Sequence, residues 1–155
     1  MSGQRAVAVV VDGPRVLLIQ RFLKKPTPDA CIMCRTLGVA GPDCPGHHYA
    51  VLPGGHVEDG EAAEAAVVRE LHEETTLDAR IARPLWTGRH NERAAVYFLM
   101  TDVVGTPALS GPEAVKNGPE NSFELVWATV EDLDVIGLHP AEVREPLARL
   151  LAGAR

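Results

Sequence analysis

Glu70, Glu73 and Glu74 are the residues of this 155-residue chain whose type and spacing point most directly to chemistry. They stand as E-x-x-E-E at the far end of an Ala/Val/Leu-rich stretch. Separations of three and four residues put all three carboxylates on one face of a helix. Each like-charge pair at such spacing costs about 0.2–0.5 kcal/mol. Acids in a last turn also oppose the helix dipole, by ~0.3–1 kcal/mol each when exposed. A solvated acidic face, partly neutralised by Arg69, would account for them without function. A hard-cation site accounts for them with one. Mg2+ takes oxygen ligands octahedrally and shares one or two carboxylates with water and substrate phosphates, which turns the repulsion into attraction.

The element that must carry these acids is a helix. Ala62, Ala63, Ala65, Ala66 and Leu71 are strong formers, and Val67 and Leu71 lie four apart on one face. Asp59 and Gly60 are the expected caps, with Glu61 in the favourable first turn.

The surroundings of the acids carry a resemblance. Gly55, five residues, Glu61, seven residues, then Arg69-Glu70-Leu71-His72-Glu73-Glu74-Thr75-Thr76-Leu77 resembles the Nudix box, G-x5-E-x7-R-E-U-x-E-E-x-G-U, where U is bulky and aliphatic. Leu52-Pro53-Gly54 also resembles the family's approach to the box. The one departure is Thr76, where the family has glycine. That glycine would end the helix with a positive φ. A β-branched residue held so costs ~1–3 kcal/mol, so the turn is expected to take another shape here.

The resemblance implies roles. Glu70, Glu73 and Glu74 would bind Mg2+ or Mn2+, with the Gly55 carbonyl as a further ligand and Glu73 or Glu70 activating water. Glu61 and Arg69 would join loop to helix through an ion pair. The family often takes one more acid from a late loop; Glu120 and Glu124 are available, and Glu120 is favoured because Glu124 reads as strand. The implied reaction is hydrolysis of a nucleoside diphosphate linked to another group. The implied fold is the Nudix α/β/α sandwich with a mixed β-sheet, formed as a single domain over residues 1–155.

Residues 24–48 form an insertion between a strand and the box, and they hold all three cysteines. Cys31-x2-Cys34, nine residues, then Cys44-x2-His47 has the spacing of a four-ligand Zn2+ site. His48 is an alternative fourth ligand. Gly38, Gly41, Pro42, Pro45 and Gly46 make this a loop with little core of its own, the kind that gains most from a metal clip. The alternative is a loop with reduced thiols, since a stable disulfide is disfavoured in the cytosol. The loop runs into Gly54-Gly55 and so is placed to border a substrate cleft.

Arg89, His90 and Arg93 make a polar turn with groups suited to phosphate, although a solvated hairpin is the plainer reading. Arg21, Trp86 and Tyr97 are candidates to line a base pocket, although aromatic residues on strands more often serve a core. For substrate, the resemblance narrows little. The proline expected of ADP-ribose pyrophosphatases is replaced by Arg93 to Val96, the NADH-pyrophosphatase motif SQPWPFP is absent, and Tyr97 sits late for a dinucleoside-polyphosphate enzyme. A short chain leans towards a nucleoside triphosphate such as an oxidised dGTP. ADP-ribose, dinucleoside polyphosphates, nucleotide sugars and a non-catalytic nucleotide sensor are the alternatives.

A net charge of −6 argues against a nucleic-acid backbone as main partner. The first apolar run, Ala6 to Val11, is too short to span a membrane, and the N-terminus lacks a signal-peptide layout. A cytoplasmic protein with a small-molecule nucleotide partner is expected, and the assembly, monomer or homodimer, stays open. Strands are expected at Ala6–Val11, Val16–Gln20, Tyr49–Leu52, Leu77–Leu85, Ala94–Val103 and Glu124–Ala128, with a polar turn over Thr87–Arg93. Pro140 opens a closing helix through Ala152 with Val143, Leu147, Leu150 and Leu151 as its apolar stripe.

Overall fold

The computed structural model describes residues 3–90, 93–110 and 118–153. Two sheets meet at the centre. In the first, β1 (Arg5–Val9) lies between β5 (Gly54–His56) and β7 (Arg93–Val104), and β6 (Asp78–His90) flanks β7. β1 runs parallel to β7 and antiparallel to β5, so the sheet is mixed. In the second, β3 (Arg15–Leu23) carries β8 (Asn121–Ala128) along one edge. Along its other edge lie β2 (Val11–Asp12) and β4 (His47–Val51).

Alternation along β1 sorts its side chains into two cores. Ala6, Ala8 and Val10 pack with Ala66, Val67 and Leu71 of α2 (Ala63–Thr75). Val7 and Val9 face the opposite layer, which holds Leu133 of α3 (Asp132–Ile136) and Leu147 and Leu151 of α4 (Arg144–Gly153). This is the expected α/β/α sandwich, with a sheet buried on both faces and helices on each.

Four expectations need correction. Thr87 to His90 is strand, because β6 stays in register with β7 as far as His90 opposite Arg93; Asn91 and Glu92 lie outside the described residues. Helix α2 is capped at Ala62, not at Asp59 or Gly60. Those two residues sit in a turn that the Glu61 amide closes on the Glu58 carbonyl at 3.0 Å, leaving Glu61 ahead of the helix. The insertion is more ordered than its composition suggests. It folds a 3-10 turn (Pro28–Ala30) and α1 (Ile32–Leu37) over a small core of Leu23, Met33, Tyr49 and the three cysteines.

The fourth correction is Thr76. It does take the left-handed conformation, with φ 64° and ψ 2°. Its amide donates to the His72 carbonyl at 2.9 Å, and its Oγ1 donates to the Thr106 carbonyl at 3.1 Å. These bonds offset the strain that a β-branched residue carries there. In the closing segment, a 3-10 turn (Ala141–Val143) follows Pro140 before α4 begins, and Val143, Leu147 and Leu151 are buried as expected.

Candidate active site

Glu70, Glu73 and Glu74 leave one face of α2 and line a cleft of about 590 Å³. The strand β5 supplies its floor. Its Gly54 amide donates to Glu74 Oε1 at 2.9 Å, which holds a buried carboxylate in place. A Cβ on Gly55 would fall onto the Glu70 carboxylate, so only glycine lets this strand pass so close. Burial raises the Glu70 carboxyl above its ordinary value, against the pull of Arg69.

Arg69 organises the mouth of this cluster. It meets Glu61 with two parallel bonds, Nε to Oε2 and Nη2 to Oε1, each 2.8 Å. Such a fork is the strong geometry for a guanidinium–carboxylate pair. Its Nη1 reaches Glu70 Oε1 at 3.0 Å and Glu73 Oε2 at 3.3 Å. The Arg69 bonds hold the Glu61 carboxyl down at about 2. The ion pair implied for these two residues is therefore present, and Arg69 also spans towards the acids.

The rest of the cleft divides by chemistry. Near the acids stand Arg5, His56 and Arg93, with Arg93 Nη1 3.3 Å from His56 Nδ1. Burial pushes the Arg5 guanidinium below its ordinary value, opposed first by the charges of Glu74 and Glu70. Further along lie Arg21, Tyr49, Phe123 and Ile32. The Arg21 guanidinium sits 4.2 Å from the Phe123 ring centre and 5.5 Å from that of Tyr49, and its Nη2 donates to Asn121 Oδ1 at 2.8 Å. It forms a flat cationic ledge. His90 lines the cleft too, and burial followed by the charge of Arg5 pushes its ring down to about 3.

Several sequence candidates are not brought here. Arg89 lines a separate pocket with Trp86, Tyr97 and His139, and Trp86 and Tyr97 stack there with centroids 5.6 Å apart. Glu120 is exposed in the turn before β8, its carbonyl accepting from the Lys24 amide at 2.9 Å, and it does not line the cleft. Neither does Glu124, exposed on β8 opposite Gln20. Arg5, His56, Tyr49 and Phe123 went unrecognised in the sequence. For Arg5 a signal existed, a lone cation opening an apolar strand; for the others none did.

The second cluster is Cys31, Cys34, Cys44 and His47, all buried, with ligand atoms within 4.8 Å of one another. His48 is exposed and faces Phe22, with ring centres 4.6 Å apart, so His47 is the fourth member. The Lys25 amide, aided by that of Gly46, holds the Cys44 thiol down at about 7 against its burial.

An α/β/α sandwich with this glutamate-lined cleft defines a Nudix-type hydrolase. A sequence model of the NUDIX domain matches residues 2–151. The chain belongs to the Nudix family and is a Nudix hydrolase. Solved structures share the fold. The E. coli ORF135 protein matches with a TM-score of 0.61 at 22% identity, over 98% of this chain and 91% of that one. A MutT NUDIX hydrolase from Burkholderia pseudomallei matches with a TM-score of 0.60 at 24% identity, over 91% and 93% of the two chains. A MutT protein from Bacillus halodurans matches with a TM-score of 0.58 at 22% identity, over 98% and 84%. Among the described residues, no helix is long and apolar enough to cross a membrane.

Proposed function

We propose that the protein hydrolyses a diphosphate linkage in a nucleoside triphosphate, of which an oxidised dGTP is the leading example, with Mg2+ or Mn2+ as cofactor. The observation that carries this reading is the convergence of Glu70, Glu73 and Glu74 on the Gly54–Gly55 backbone in a cleft that also holds Arg5 and Arg93. The donor set is all oxygen, as a hard divalent cation requires. Glu70, Glu73, Glu74 and the Gly55 carbonyl are the groups that would hold it. When bound, such a cation neutralises charge on the diphosphate and makes water more acidic.

The chain's own residues supply the remainder. Glu74 is committed to the Gly54 amide, and Glu70 is pressed between Gly55 and Arg69. Glu73, whose side chain is 48% exposed, is the acid best placed to take a proton from water as the water oxygen attacks phosphorus. The P–O anhydride bond between the α and β phosphates then breaks, its electron pair staying on the bridging oxygen, which leaves with the nucleoside monophosphate or with the pyrophosphate according to which phosphorus is attacked. Arg5 and Arg93 offset phosphate charge, and the Arg21 ledge with Phe123 and Tyr49 offers flat surfaces for a base.

A panel of nucleotides with Mg2+ and product identification tests this. Turnover of a nucleoside triphosphate to a monophosphate and diphosphate is expected, with Glu73→Gln lowering kcat by about 10²–10⁴-fold. Metal binding without turnover of any diphosphate compound would overturn the reading.

A further inference from the structure

The hydrolytic site makes no use of Cys31, Cys34, Cys44 and His47, although all four are buried and the three thiols are free. Cys34 Sγ stands 3.5 Å from Cys44 Sγ and 3.2 Å from His47 Nε2, and Cys44 Sγ stands 3.7 Å from the same nitrogen. Zinc bonds of about 2.3 Å to sulfur and 2.0–2.1 Å to nitrogen, at tetrahedral angles, set separations of about 3.8 Å between sulfurs and 3.6 Å between sulfur and nitrogen. These three separations meet those values to within about half an ångström, and Cys31 joins them with all four ligand atoms within 4.8 Å of one another. A disulfide explains less: it would use two thiols and leave the third, with the buried imidazole, without a task.

Local structure supports a closed metal clip. Cys31 caps α1, its Sγ accepting from the Cys34 amide at 3.4 Å. Gly46, at φ 85°, turns the chain so tightly against Phe22 that a Cβ would come within 2.9 Å of that ring. His47 then opens β4. The four groups come from the two ends of the insertion, so a metal would join α1 to β4. Each end also carries a cleft residue. Ile32 follows Cys31 directly, and Tyr49 stands two residues after His47; both line the cleft.

We propose that Cys31, Cys34, Cys44 and His47 bind one Zn2+ as a structural site, and that this clip fixes the Ile32–Tyr49 wall of the catalytic cleft. Three thiolates and one imidazole fill a tetrahedral shell and leave no position for water, so the ion is not itself hydrolytic. The wall's part in substrate affinity rests on the hydrolase reading above; the zinc site and the order of the wall do not.

Elemental analysis of the full chain, purified in excess Mg2+, is expected to find one zinc per chain. Co2+ exchanged into the protein should give a thiolate-to-metal charge-transfer band, lost in Cys44→Ser. Because that variant could fail to fold, zinc release from the wild-type chain by a thiol-specific mercurial, read with a zinc-sensitive dye, provides an independent count. Absence of zinc together with absence of the cobalt band overturns the site. Hydrogen exchange reads the wall: zinc removal should speed exchange over residues 47–51 and leave α2 unchanged. With nucleotide, zinc removal should raise KM roughly tenfold while kcat changes little. Unchanged exchange over 47–51 in the zinc-free chain overturns the wall's dependence on zinc, and unchanged KM overturns its part in substrate affinity. Zinc at one per chain without any nucleotide turnover overturns the hydrolase reading instead and supports the clip.

Discussion

The Gly54 amide donates to Glu74 Oε1 at 2.9 Å, so the strand that enters the glutamate segment is tied to the helix turn that ends it. The two groups are twenty positions apart along the chain, and the bond closes the segment into one unit. The neighbouring Gly55 shares the crowding, since any side chain there meets Glu70.

Gly55→Ala should therefore displace the Glu70 carboxylate or the strand itself. Overpacking of this kind costs ~1–3 kcal/mol. Weaker Mg2+ binding by calorimetry and a reduced kcat are expected, with α2 still folded by circular dichroism. Wild-type Mg2+ affinity in this variant would show that Glu70 is not a ligand.

Arg69→Lys should lose the two-pronged bond to Glu61 while keeping the charge. Arg69 touches Glu70 and Glu73 as well as Glu61, so the loss falls on the placement of the acids. A fall in kcat of at least tenfold is expected, with little change in global stability because solvent screens the pair. A lysine variant with full kcat would reduce the arginine to a simple counter-charge.

Thr76→Gly tests the one departure from the box. Glycine relieves a backbone strain of ~1–3 kcal/mol at φ 64°. It also loses the bond to the Thr106 carbonyl, about 0.5–1.5 kcal/mol, and frees the unfolded chain. The net effect in urea denaturation should lie within ~1 kcal/mol of zero, with activity retained. A large gain would mean that Thr76 is held against its preference with little compensation.

Stability should fall on mild acidification. His90 in the folded protein takes its proton only near pH 3, against 6.5 for the ordinary group. Between those values the unfolded chain binds more protons, so stability is fully present above pH 6.5 and declines as pH drops. His56 and His139 are shifted the same way by burial and add to the slope. Glu61 adds a later loss as pH falls from 4.5 towards 2. Denaturant titrations from pH 7.5 to 4 should show this decline, and His90→Gln should make it shallower. An identical slope in the variant would assign the effect elsewhere.

Arg21→Lys should remove the flat guanidinium that lies over Phe123 and its bond to Asn121. A stacking loss of about 1 kcal/mol corresponds to roughly a fivefold rise in KM. The kcat should hold, because Arg21 bonds to Asn121 and lies over Phe123 and Tyr49 and makes no bond to the acids. A fall in kcat with KM constant would place Arg21 nearer the chemistry.

What the chain's sequence determined by itself is local. The glutamates share a face because three and four residues make one helical turn, and the pairing of Glu61 with Arg69 was legible only through the resemblance of the segment to the Nudix box. The Cys31–His47 spacing was legible in the residues themselves, as was the short apolar run Ala6–Val11 that makes β1 a strand. What only tertiary structure decided is non-local. Strand register sets Arg5 opposite His56 and Ala95 and so brings three cationic or basic groups to the acids. The pairing of β6 with β7 turned an expected polar turn into strand and sent Arg89 and His90 to different pockets. Glu120 and Glu124 were plausible by position, yet the β3–β8 pairing leaves both exposed outside the cleft. Spacing along a chain specifies which side chains one helix or loop presents together. Which distant strands face them depends on hydrogen-bond register and packing across the whole sheet.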